Sequence, residues 1–319
     1  MSLQGRIIST DSDLQSFDAL AQSKGDLFSS VFWINLFDDA IRIGFFRADN
    51  SLAAACVLHH AKLKFISLTH PLPFSPHCAL IMDERQKNPA EILSFRKEVL
   101  SAFADFLRRD KSAFIDVPLP PAIIDTQPLI WSGFQVRPAY TYRINLLQEE
   151  SQINASFAAR LRNSIRKEDS IYKVLDASPE QAFDLISKTL LRNGLHPDLE
   201  AMKRIIFGSH AEALGFGLIA LEGTDVQAAA WFVGQDKEAH YLFGGTSGQS
   251  GGPGLLIWSA IKKLRNQGFH VLDLEGSMQP GIEQFFRSFG AEMTPYYRVR
   301  KAGLWVEVLL RLFKPSIWR

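Results

Sequence analysis

Residues 241–261 read YLFGGTSGQSGGPGLLIWSAI, and this stretch decides the fold. An apolar strand pattern over Tyr241–Gly244 gives way to a glycine-rich turn, and helical spacing of apolar residues begins at Leu255. Inside the turn, Gln249–Gly254 has the pattern Q-x-x-G-x-G. Glycines let backbone N–H groups approach a ligand closely, and the following helix N-terminus adds partial positive charge. The stretch predicts a pyrophosphate cradle; the alternative is a flexible glycine turn after an edge strand.

The segments around this turn predict a mixed sheet covered by helices. In the second half of the chain, strands are predicted at 140–146, 172–175, 216–221, 227–233, 239–244, 270–274 and 294–300. Helices are predicted at 152–169, 179–193, 198–210, 255–266 and 281–288. The three strands before the glycine turn are joined by tight turns, so they form an antiparallel meander.

The first half repeats spacings that occur in the second. Its predicted elements are strands at 41–47, 52–58, 63–69 and 113–117 and a helix at 89–109. Asp116 and Asp273 each follow a helix leucine by nine residues and precede a glycine by 17. Each glycine precedes a proline by five residues, and similar strands, YTYRI and YYRV, come next. These equal spacings predict an internal duplication with an offset of 157 residues.

Composition and charge exclude several classes of protein. The chain has 319 residues, 46% of them hydrophobic, with 35 Lys and Arg against 34 Asp and Glu. It can bury a large core, its length suggests about two domains, and it has no bulk electrostatic preference for nucleic acid. Its two cysteines, Cys56 and Cys78, lack metal-ligand spacing, so no metal is implied. Without an apolar signal segment or membrane span, the sequence predicts a cytoplasmic location.

The order of elements around the glycine turn resembles the Gcn-five-related N-acetyltransferase (GNAT) fold, in which that loop holds the pyrophosphate of acyl-CoA. The tandem arrangement also resembles the Fem-type peptidoglycan-bridge aminoacyltransferases and the related polysaccharide-biosynthesis acetyltransferases. The segments that carry this second resemblance are FAARLRNSIRK (157–167), DLEGS (273–277) and FFRSFGA (285–291). In the order of its two domains, the chain resembles these proteins over nearly its whole length. It implies an α/β (α+β) fold of two tandem GNAT-like domains with mixed central sheets.

The resemblance implies different roles for the two halves. The N-terminal domain, 1–145, is expected to be degenerate, because prolines at 71, 73 and 76 occupy the loop where Q-x-x-G-x-G would lie. The C-terminal domain, 146–319, is expected to bind acetyl-CoA or another acyl-CoA as co-substrate. The expected donor-binding residues are Phe243, Gly244, Gly245, Gln249, Gly251, Gly252 and Gly254. In the family, the strand before the loop is splayed so that its backbone N–H groups polarise the thioester.

The implied activity is transfer of an acyl group to an amine or hydroxyl of a cell-envelope or polysaccharide-related acceptor, which can be a small molecule, a glycan or a peptide. No DNA partner is expected. One alternative is a Fem-type transferase that uses aminoacyl-tRNA, although the long helical arm of some Fem enzymes has no counterpart in the sequence. The other is a non-catalytic binding or scaffold module on the duplicated fold.

Asp273 and Glu275 are the candidates for general base. They lie two residues apart near the end of a predicted strand, so they face the same side at the ligand end of the sheet. Asp273 can instead cap the following turn, and its duplicate Asp116 in the degenerate half favours that role. Glu275 is therefore the preferred base. Tyr297 is a candidate to protonate the leaving thiolate, the alternative being a packed strand aromatic.

A basic helix surface at Arg160, Arg162, Arg166 and Lys167 is the candidate acceptor anchor. Arg162 and Arg166 form a self-repelling i,i+4 pair, which favours a phosphate or sugar-phosphate ligand over a solvated helix face. His196, in a loop between two predicted helices, is a further acceptor-side candidate, the alternative being a plain loop residue.

The C-terminal segment 304–319, LWVEVLLRLFKPSIWR, is amphipathic. Packing onto the domain is its expected role, because amphipathic helices usually cover a core. The alternative is peripheral contact with a membrane surface, where Trp, Lys and Arg anchors are favoured.

Overall fold

A computed structural model describes residues 3–63, 66–248, 251–276, 278–303, 305–306 and 308 of the chain. The chain divides into two compact units, which we call unit 1 and unit 2. Unit 1 contains Met1–Ala139 and the residues from Pro295 onward, and unit 2 contains Tyr140–Thr294. Every helix among the described residues is too short or too polar to cross a membrane.

Unit 1 is built on a mixed sheet. Its strands are β1 (Gln4–Ile7), β2 (Ala40–Phe46), β3 (Leu52–Leu63), β4 (Ile66–His70), β5 (Ile81–Met82) and β6 (Phe114–Pro118). Its helices are α1 (Asp11–Lys24), α2 (Val31–Asn35), α3 (Pro89–Arg109) and α4 (Gln127–Trp131). The strand order is β1-β2-β3-β4-β6, with β5 on β3, and the end of β13 (Glu292–Ala302) completes the sheet against β6. β4 and β6 run parallel.

Helix α3 covers the core of unit 1 because its apolar residues recur every three or four positions. Asn88 caps its start by accepting a hydrogen bond from the Ala90 N–H at 2.9 Å, and Pro89 occupies the favoured first position. Phe103, on the buried face, packs edge-on against Phe45 of β2 with ring centroids 6.0 Å apart. Capping and amphipathicity together explain why this segment forms the long helix that the periodicity predicts.

Unit 2 is built in the same way. Its strands are the second half of β7 (Gln135–Asn145), β8 (Lys173–Ala177), β9 (Gly215–Glu222), β10 (Asp225–Gln235), β11 (Glu238–Thr246), β12 (Val271–Asp273) and the first residues of β13. Its helices are α5 (Glu150–Ser156), α6 (Ala159–Asp169), α7 (Pro179–Arg192), α8 (Leu199–Ala211), α9 (Pro253–Asn266) and α10 (Pro280–Arg287). The strand order is β7-β12-β11-β10-β9-β8. β11 and β12 run parallel.

Both units contain three antiparallel strands, a helix and a strand that returns parallel to the third. In unit 1 this order is β2-β3-β4-α3-β6, and in unit 2 it is β9-β10-β11-α9-β12. The predicted α/β class with two mixed sheets is confirmed.

Two predicted elements differ from the structure. The predicted helix 152–169 is two helices, α5 and α6, because the chain is extended at Phe157 and Ala158. Phe157 is buried there between Trp258 and Phe289, with ring centroids 5.4 and 5.3 Å away, so packing overrides helical continuity. The predicted strand 63–69 is instead the end of β3 followed by β4.

A buried aspartate beside arginine recurs in both units. In unit 1, Asp116 accepts hydrogen bonds from Arg298 and Arg300, with N–O distances from 2.8 to 3.1 Å. In unit 2, Asp273 lies opposite Arg143 in the ladder, and its Oδ2 is 3.7 Å from the arginine Nε. In each unit, therefore, an aspartate lies on the strand after the long helix, β6 or β12, and an arginine lies on the neighbouring antiparallel strand, β13 or β7.

The partners of these aspartates show that the two repeats exchange their last strands. Arg143 follows Asp116 in sequence by 27 residues, and Arg300 follows Asp273 by 27, yet each aspartate pairs with the arginine of the other repeat. The units therefore differ from the predicted division between 1–145 and 146–319. Their boundaries fall within β7 and β13, after Ala139 and before Pro295.

We expect Asp116→Ala to destabilise the protein strongly, since it leaves Arg298 and the buried Arg300 without their counter-charge. Removing one partner of a buried ion pair costs about 3–5 kcal/mol in free energy of unfolding. Urea denaturation followed by circular dichroism measures this. The matched control is Asp105→Ala, which removes an exposed pair with Arg108 and should change stability by less than about 0.5 kcal/mol. Equal effects of the two changes would contradict the role of Asp116.

Candidate functional site

The central feature of unit 2 is the point where β11 separates from β12. The two strands pair in parallel over only three positions, from Glu238 opposite Val271 to His240 opposite Asp273. β11 then continues from Tyr241 to Thr246, and in the described part of the chain this segment pairs with β10 alone. The edge of β11 beyond His240 is therefore left open to a ligand, which is the splay that the family resemblance implies.

The glycine turn approaches its neighbours too closely for side chains. Gly251 and Gly252 have φ angles of 146° and 97°, which L-residues rarely adopt. A Cβ on Gly252 would lie 2.6 Å from the Cβ of Ala228, and one on Gly254 would lie 3.0 Å from Leu161. Helix α9 begins directly after Gly252, and no side chain of a described residue caps it. Its first N–H groups and its dipole are therefore available to an anion.

A pocket of about 600 Å³ lies at this helix N-terminus. It is lined by α6 and α10 as well as by Gly251, Pro253 and Gly254. Arg160 of α6 is exposed on its wall and makes no ion pair with the described part of the chain. Arg287 of α10 also lines the pocket, although it pairs with Glu283 at 2.9 Å. Two guanidinium groups and backbone N–H groups, which suit a phosphate-bearing ligand, thus face one cavity, and the carboxylate of Glu168 also lies on its lining.

The two faces of β11 carry different chemistry. Ala239 and Tyr241 belong to the apolar cluster beneath α9. Because side chains alternate along a strand, Glu238 and His240 point to the opposite face. Asp273 shares that face, since its neighbour Leu272 is in the apolar cluster. The pocket at the α9 N-terminus and the charged residues are therefore separated by the backbone of the sheet.

His240 and Glu275 form a buried acid–base pair on the charged face. The His240 Nδ1–H donates to Glu275 Oε1 at 2.7 Å. Burial lowers the pKa of His240, but the hydrogen bond and charge of Glu275, with Asp273 and Glu238, outweigh it and raise the pKa to about 9. The imidazole is therefore protonated at neutral pH. The side chain of His240 is only 6% exposed while that of Glu275 is 20% exposed, so the carboxylate is the partner that a substrate can reach.

Asp273 is occupied by structural contacts. It accepts hydrogen bonds from the Thr141 hydroxyl and from the Glu275 N–H, the latter at 2.8 Å. Glu275 has a φ of 62°, unusual for a non-glycine residue, and the bond to Asp273 holds that turn. Asp273 thus fixes the backbone from which the Glu275 side chain extends.

Glu238, His240 and Asp273 bring possible metal-ligand atoms within 4.8 Å of one another. Arg143 pairs with Glu238 at 2.5 Å and lies 3.7 Å from Asp273, and His240 is protonated. Because Arg143 and the protonated His240 already lie against the carboxylates of Glu238 and Asp273, the donor set does not favour a divalent ion. The sequence-based expectation of no metal stays a prediction.

Solved structures share this architecture. The chain is similar to FemX, with 14% identity, a TM-score of 0.64 and coverage of 97% of this chain and 99% of that one. It is also similar to L-PGS from Bacillus licheniformis, with 11% identity, a TM-score of 0.57 and coverage of 96% and 98%. A tandem GNAT protein from the clavulanic acid biosynthesis pathway gives 9% identity, a TM-score of 0.55 and coverage of 94% and 98%. The chain has a tandem GNAT-like fold of the Fem type. No family model matches the sequence, and no curated protein matches it significantly.

The donor-binding residues expected from the GNAT resemblance fall into two groups. Gly251 and Gly254 line the pocket, and Gly252 precedes the helix. Phe243, Gly244 and Gly245 lie on the splayed part of β11. Among these, Phe243 is buried opposite Trp231, and Gly245 lets α7 approach, because a Cβ there would be 2.8 Å from the Cα of Ile186. Gln249 lies outside the described residues. Donor binding by the others stays a prediction.

The basic residues of α6 do not form one surface. Arg162 donates hydrogen bonds to the carbonyl oxygens of Ala155, at 3.1 Å, and Phe157, so it satisfies the C-terminal end of α5. Arg166 is exposed and makes no hydrogen bond or ion pair with the described residues. Among the described basic residues of α6, only Arg160 lines the pocket at the α9 N-terminus. His196 is exposed in the loop between α7 and α8. The predicted acceptor role of Arg162 is weakened by its carbonyl contacts.

Tyr297 belongs to unit 1, whereas the residues expected to act with it belong to unit 2. It packs against the apolar cluster of unit 1, and its carbonyl oxygen accepts a hydrogen bond from the Leu119 N–H at 2.8 Å. This placement agrees with the packed-aromatic alternative. In the C-terminal segment, Trp305 and Val308 are exposed, and most of the remaining residues lie outside the described part of the chain.

Sequence reasoning missed Arg160 as a residue of the pocket at the α9 N-terminus and His240 as the partner of Glu275. A signal for Arg160 was present, because it shares a helix side with Ser164 and Glu168 at i, i+4 and i+8, beside the buried Leu161 and Ile165. His240 carried no such signal. Its contact depends on the register between β11 and β12, which local periodicity does not specify.

We expect stability to depend on the protonation of His240. Its folded pKa of about 9 exceeds the ordinary value of 6.5. The contribution of His240 to the free energy of unfolding is therefore complete below pH 6.5 and is lost as the pH rises through 9. The shift corresponds to about 3 kcal/mol in free energy of unfolding, measurable by urea denaturation across that range. His240→Asn keeps a donor to Glu275 but does not titrate, and it should lack this pH dependence. The same pH dependence in both proteins would contradict the assignment.

Proposed function

We propose that the protein is an acyltransferase that takes an acyl group from acyl-CoA bound to unit 2. The proposed acceptor is an amine of a cell-envelope or polysaccharide-related molecule. One observation carries the proposal: β11 opens from β12 after three pairs and leads into an uncapped helix N-terminus with a pocket of about 600 Å³. The fold shared with FemX and a tandem GNAT protein supports it.

In this proposal the pyrophosphate of the donor binds the first turn of α9. Backbone N–H groups after Gly252 and the helix dipole meet the negative charge, and the guanidinium of Arg160 adds a charge-assisted hydrogen bond from α6. The pantetheine arm then extends along the open edge of β11, so that the thioester carbonyl accepts hydrogen bonds from its backbone.

The chemical step is a direct displacement. The acceptor nitrogen forms a bond to the thioester carbon, and the C–S bond then breaks to release the CoA thiolate. The proton lost from the nitrogen goes to the carboxylate of Glu275 and from there to solvent. The protonated His240 keeps that carboxylate in place through the 2.7 Å hydrogen bond.

Charge favours an amine as the acceptor. Three carboxylates, those of Glu238, Asp273 and Glu275, face two cations, Arg143 and the protonated His240. The net negative charge attracts an ammonium group before it loses its proton. The same surface would repel a phosphate-bearing acceptor.

Glu275 is a better candidate for the base than Asp273. Asp273 has a counterpart in Asp116 of unit 1, which also pairs with arginine, so this position has a structural role in both units. The residue 157 positions before Glu275 is Pro118, so unit 1 lacks a carboxylate there. The glutamate is therefore specific to the unit with the glycine turn.

A second candidate function is transfer from aminoacyl-tRNA, as in the Fem-type enzymes that the sequence resembles. The similarity to FemX along 97% of the chain favours it. Acetyl-CoA binding separates the two candidates, because the tRNA-dependent function does not require it.

Isothermal titration with acetyl-CoA tests the donor site. We expect Arg160→Ala to weaken binding by about 10- to 100-fold, since a hydrogen bond to a charged group contributes about 1.5–3 kcal/mol. Arg166→Ala is the matched control on the same helix and should bind like the wild type, because Arg166 does not line the pocket. Wild-type protein that shows no binding at millimolar acetyl-CoA would exclude the acyl-CoA function.

The role of Glu275 can be tested with hydroxylamine as a small acceptor that needs no specific recognition. Release of the CoA thiol from acetyl-CoA is followed with a thiol reagent. We expect Glu275→Gln to lower kcat by about 10²- to 10⁴-fold, because the amide cannot take a proton. Acetyl-CoA affinity should stay near the wild-type value. A Glu275→Gln protein with unchanged kcat would rule out the glutamate as the base.

A further inference from the structure

Tyr241 is the first residue of β11 beyond its pairing with β12, and its hydroxyl lies over Gly244. A Cβ on Gly244 would overlap that hydroxyl, so glycine there makes room for it. The ring is held between Phe232 and Phe286, with centroids 5.4 and 6.1 Å away. The position of the hydroxyl is therefore fixed by packing on both sides.

A β-bulge brings Tyr241 and Gly244 to the same face of the sheet. Tyr241 lies opposite Phe232 and Phe243 lies opposite Trp231, so Leu242 is an extra residue in β11. Without the bulge, side chains three positions apart would point to opposite faces. With it, the hydroxyl is on the α9 face, where the donor pocket also lies.

The donor pocket and Tyr241 are linked through α10. Phe285 lines the pocket, and the adjacent Phe286 contacts the Tyr241 ring edge-on. In the proposed function the donor extends from the α9 N-terminus to the open edge of β11, which begins at Tyr241. In that proposal the Tyr241 hydroxyl, on the α9 face, is placed to meet the acyl arm.

The Tyr241 hydroxyl makes no hydrogen bond in the described part of the chain. It is not among the described polar atoms that are fully buried without a partner, so the ring is packed while the hydroxyl is reachable by solvent or a ligand. Burial raises the pKa of Tyr241 to about 12, so the hydroxyl keeps its proton at any physiological pH. A fixed and protonated donor without a protein partner is suited to a ligand oxygen.

We propose that Tyr241 is a catalytic residue whose hydroxyl donates a hydrogen bond to the thioester carbonyl oxygen as it becomes an oxyanion. The inference rests on the proposed acyl-CoA function. Negative charge forms on that oxygen when the nitrogen bonds to the carbonyl carbon, and it disappears when the C–S bond breaks. Tyr241 keeps its proton throughout, and its hydrogen bond adds to those of the β11 backbone.

Tyr241→Phe tests this role because it removes only the hydroxyl and keeps the ring contacts. With acetyl-CoA and hydroxylamine as probes, we expect kcat to fall by about 10²- to 10³-fold, the usual effect of losing one oxyanion donor. The Kd for acetyl-CoA and the Tm should stay near their wild-type values. Gly244→Ala, which displaces the hydroxyl without removing it, should also lower kcat.

Tyr142→Phe is the matched control. It removes a hydroxyl that donates to Glu283 at 2.6 Å, outside the splay, and should leave kcat unchanged. A Tyr241→Phe protein with wild-type kcat would overturn the inference alone. Tighter acetyl-CoA binding by that variant, without loss of kcat, would instead identify Tyr241 as a side chain that blocks the cleft. A wild-type protein that neither binds acetyl-CoA nor releases CoA would overturn the proposed function and this inference together.

Discussion

The short parallel pairing between β11 and β12 is the constraint on which the rest of unit 2 depends. It ends after three residue pairs because the chain turns directly after Asp273, with φ angles of 62° at Glu275 and 51° at Gly276. Asp273 holds the turn through the Glu275 N–H, and Gly276 packs so closely against the Tyr140 backbone that a side chain would not fit. If the pairing of β11 with β12 continued past His240, the backbone of β12 would cover the edge of β11 that the proposed donor uses.

Unit 1 shows which parts of this arrangement are structural and which belong to the site. Its own short parallel ladder places Thr69 opposite Ile115, so His70 comes next beside Asp116, as His240 lies beside Asp273. Burial lowers the pKa of His70, although a hydrogen bond to the Pro71 carbonyl opposes the shift. The pKa of His240 is raised instead, because Glu275 faces it. The histidine and aspartate positions are shared by both units, and the glutamate changes their chemistry.

Local sequence signals predicted the parts of the site that depend on neighbours in the chain. The glycine turn at Gly251–Gly254 and the duplicated aspartates belong to this class, since both are visible as short patterns. Residues whose roles depend on pairing between distant strands were not predictable in this way. His240 and Tyr241 need the register and the bulge of β11, and Tyr297 lies in unit 1 because the repeats exchange strands. The contacts of Arg162 depend on the helix break at Phe157, which tertiary packing produces.

The alternation of side chains along β11 divides the site into two chemically different halves. On the α9 face lie aromatic rings, an uncapped helix N-terminus and an unpartnered phenol in the described part of the chain, all suited to anions and developing negative charge. On the other face lie carboxylates that suit a cation which must lose its proton. If both sets of side chains lay on one face, the carboxylates would repel the phosphates of the proposed donor. In the proposed function the donor and the acceptor approach from opposite faces, and the edge of β11 beyond His240, which lacks β12, is where they would meet without bringing those charges together.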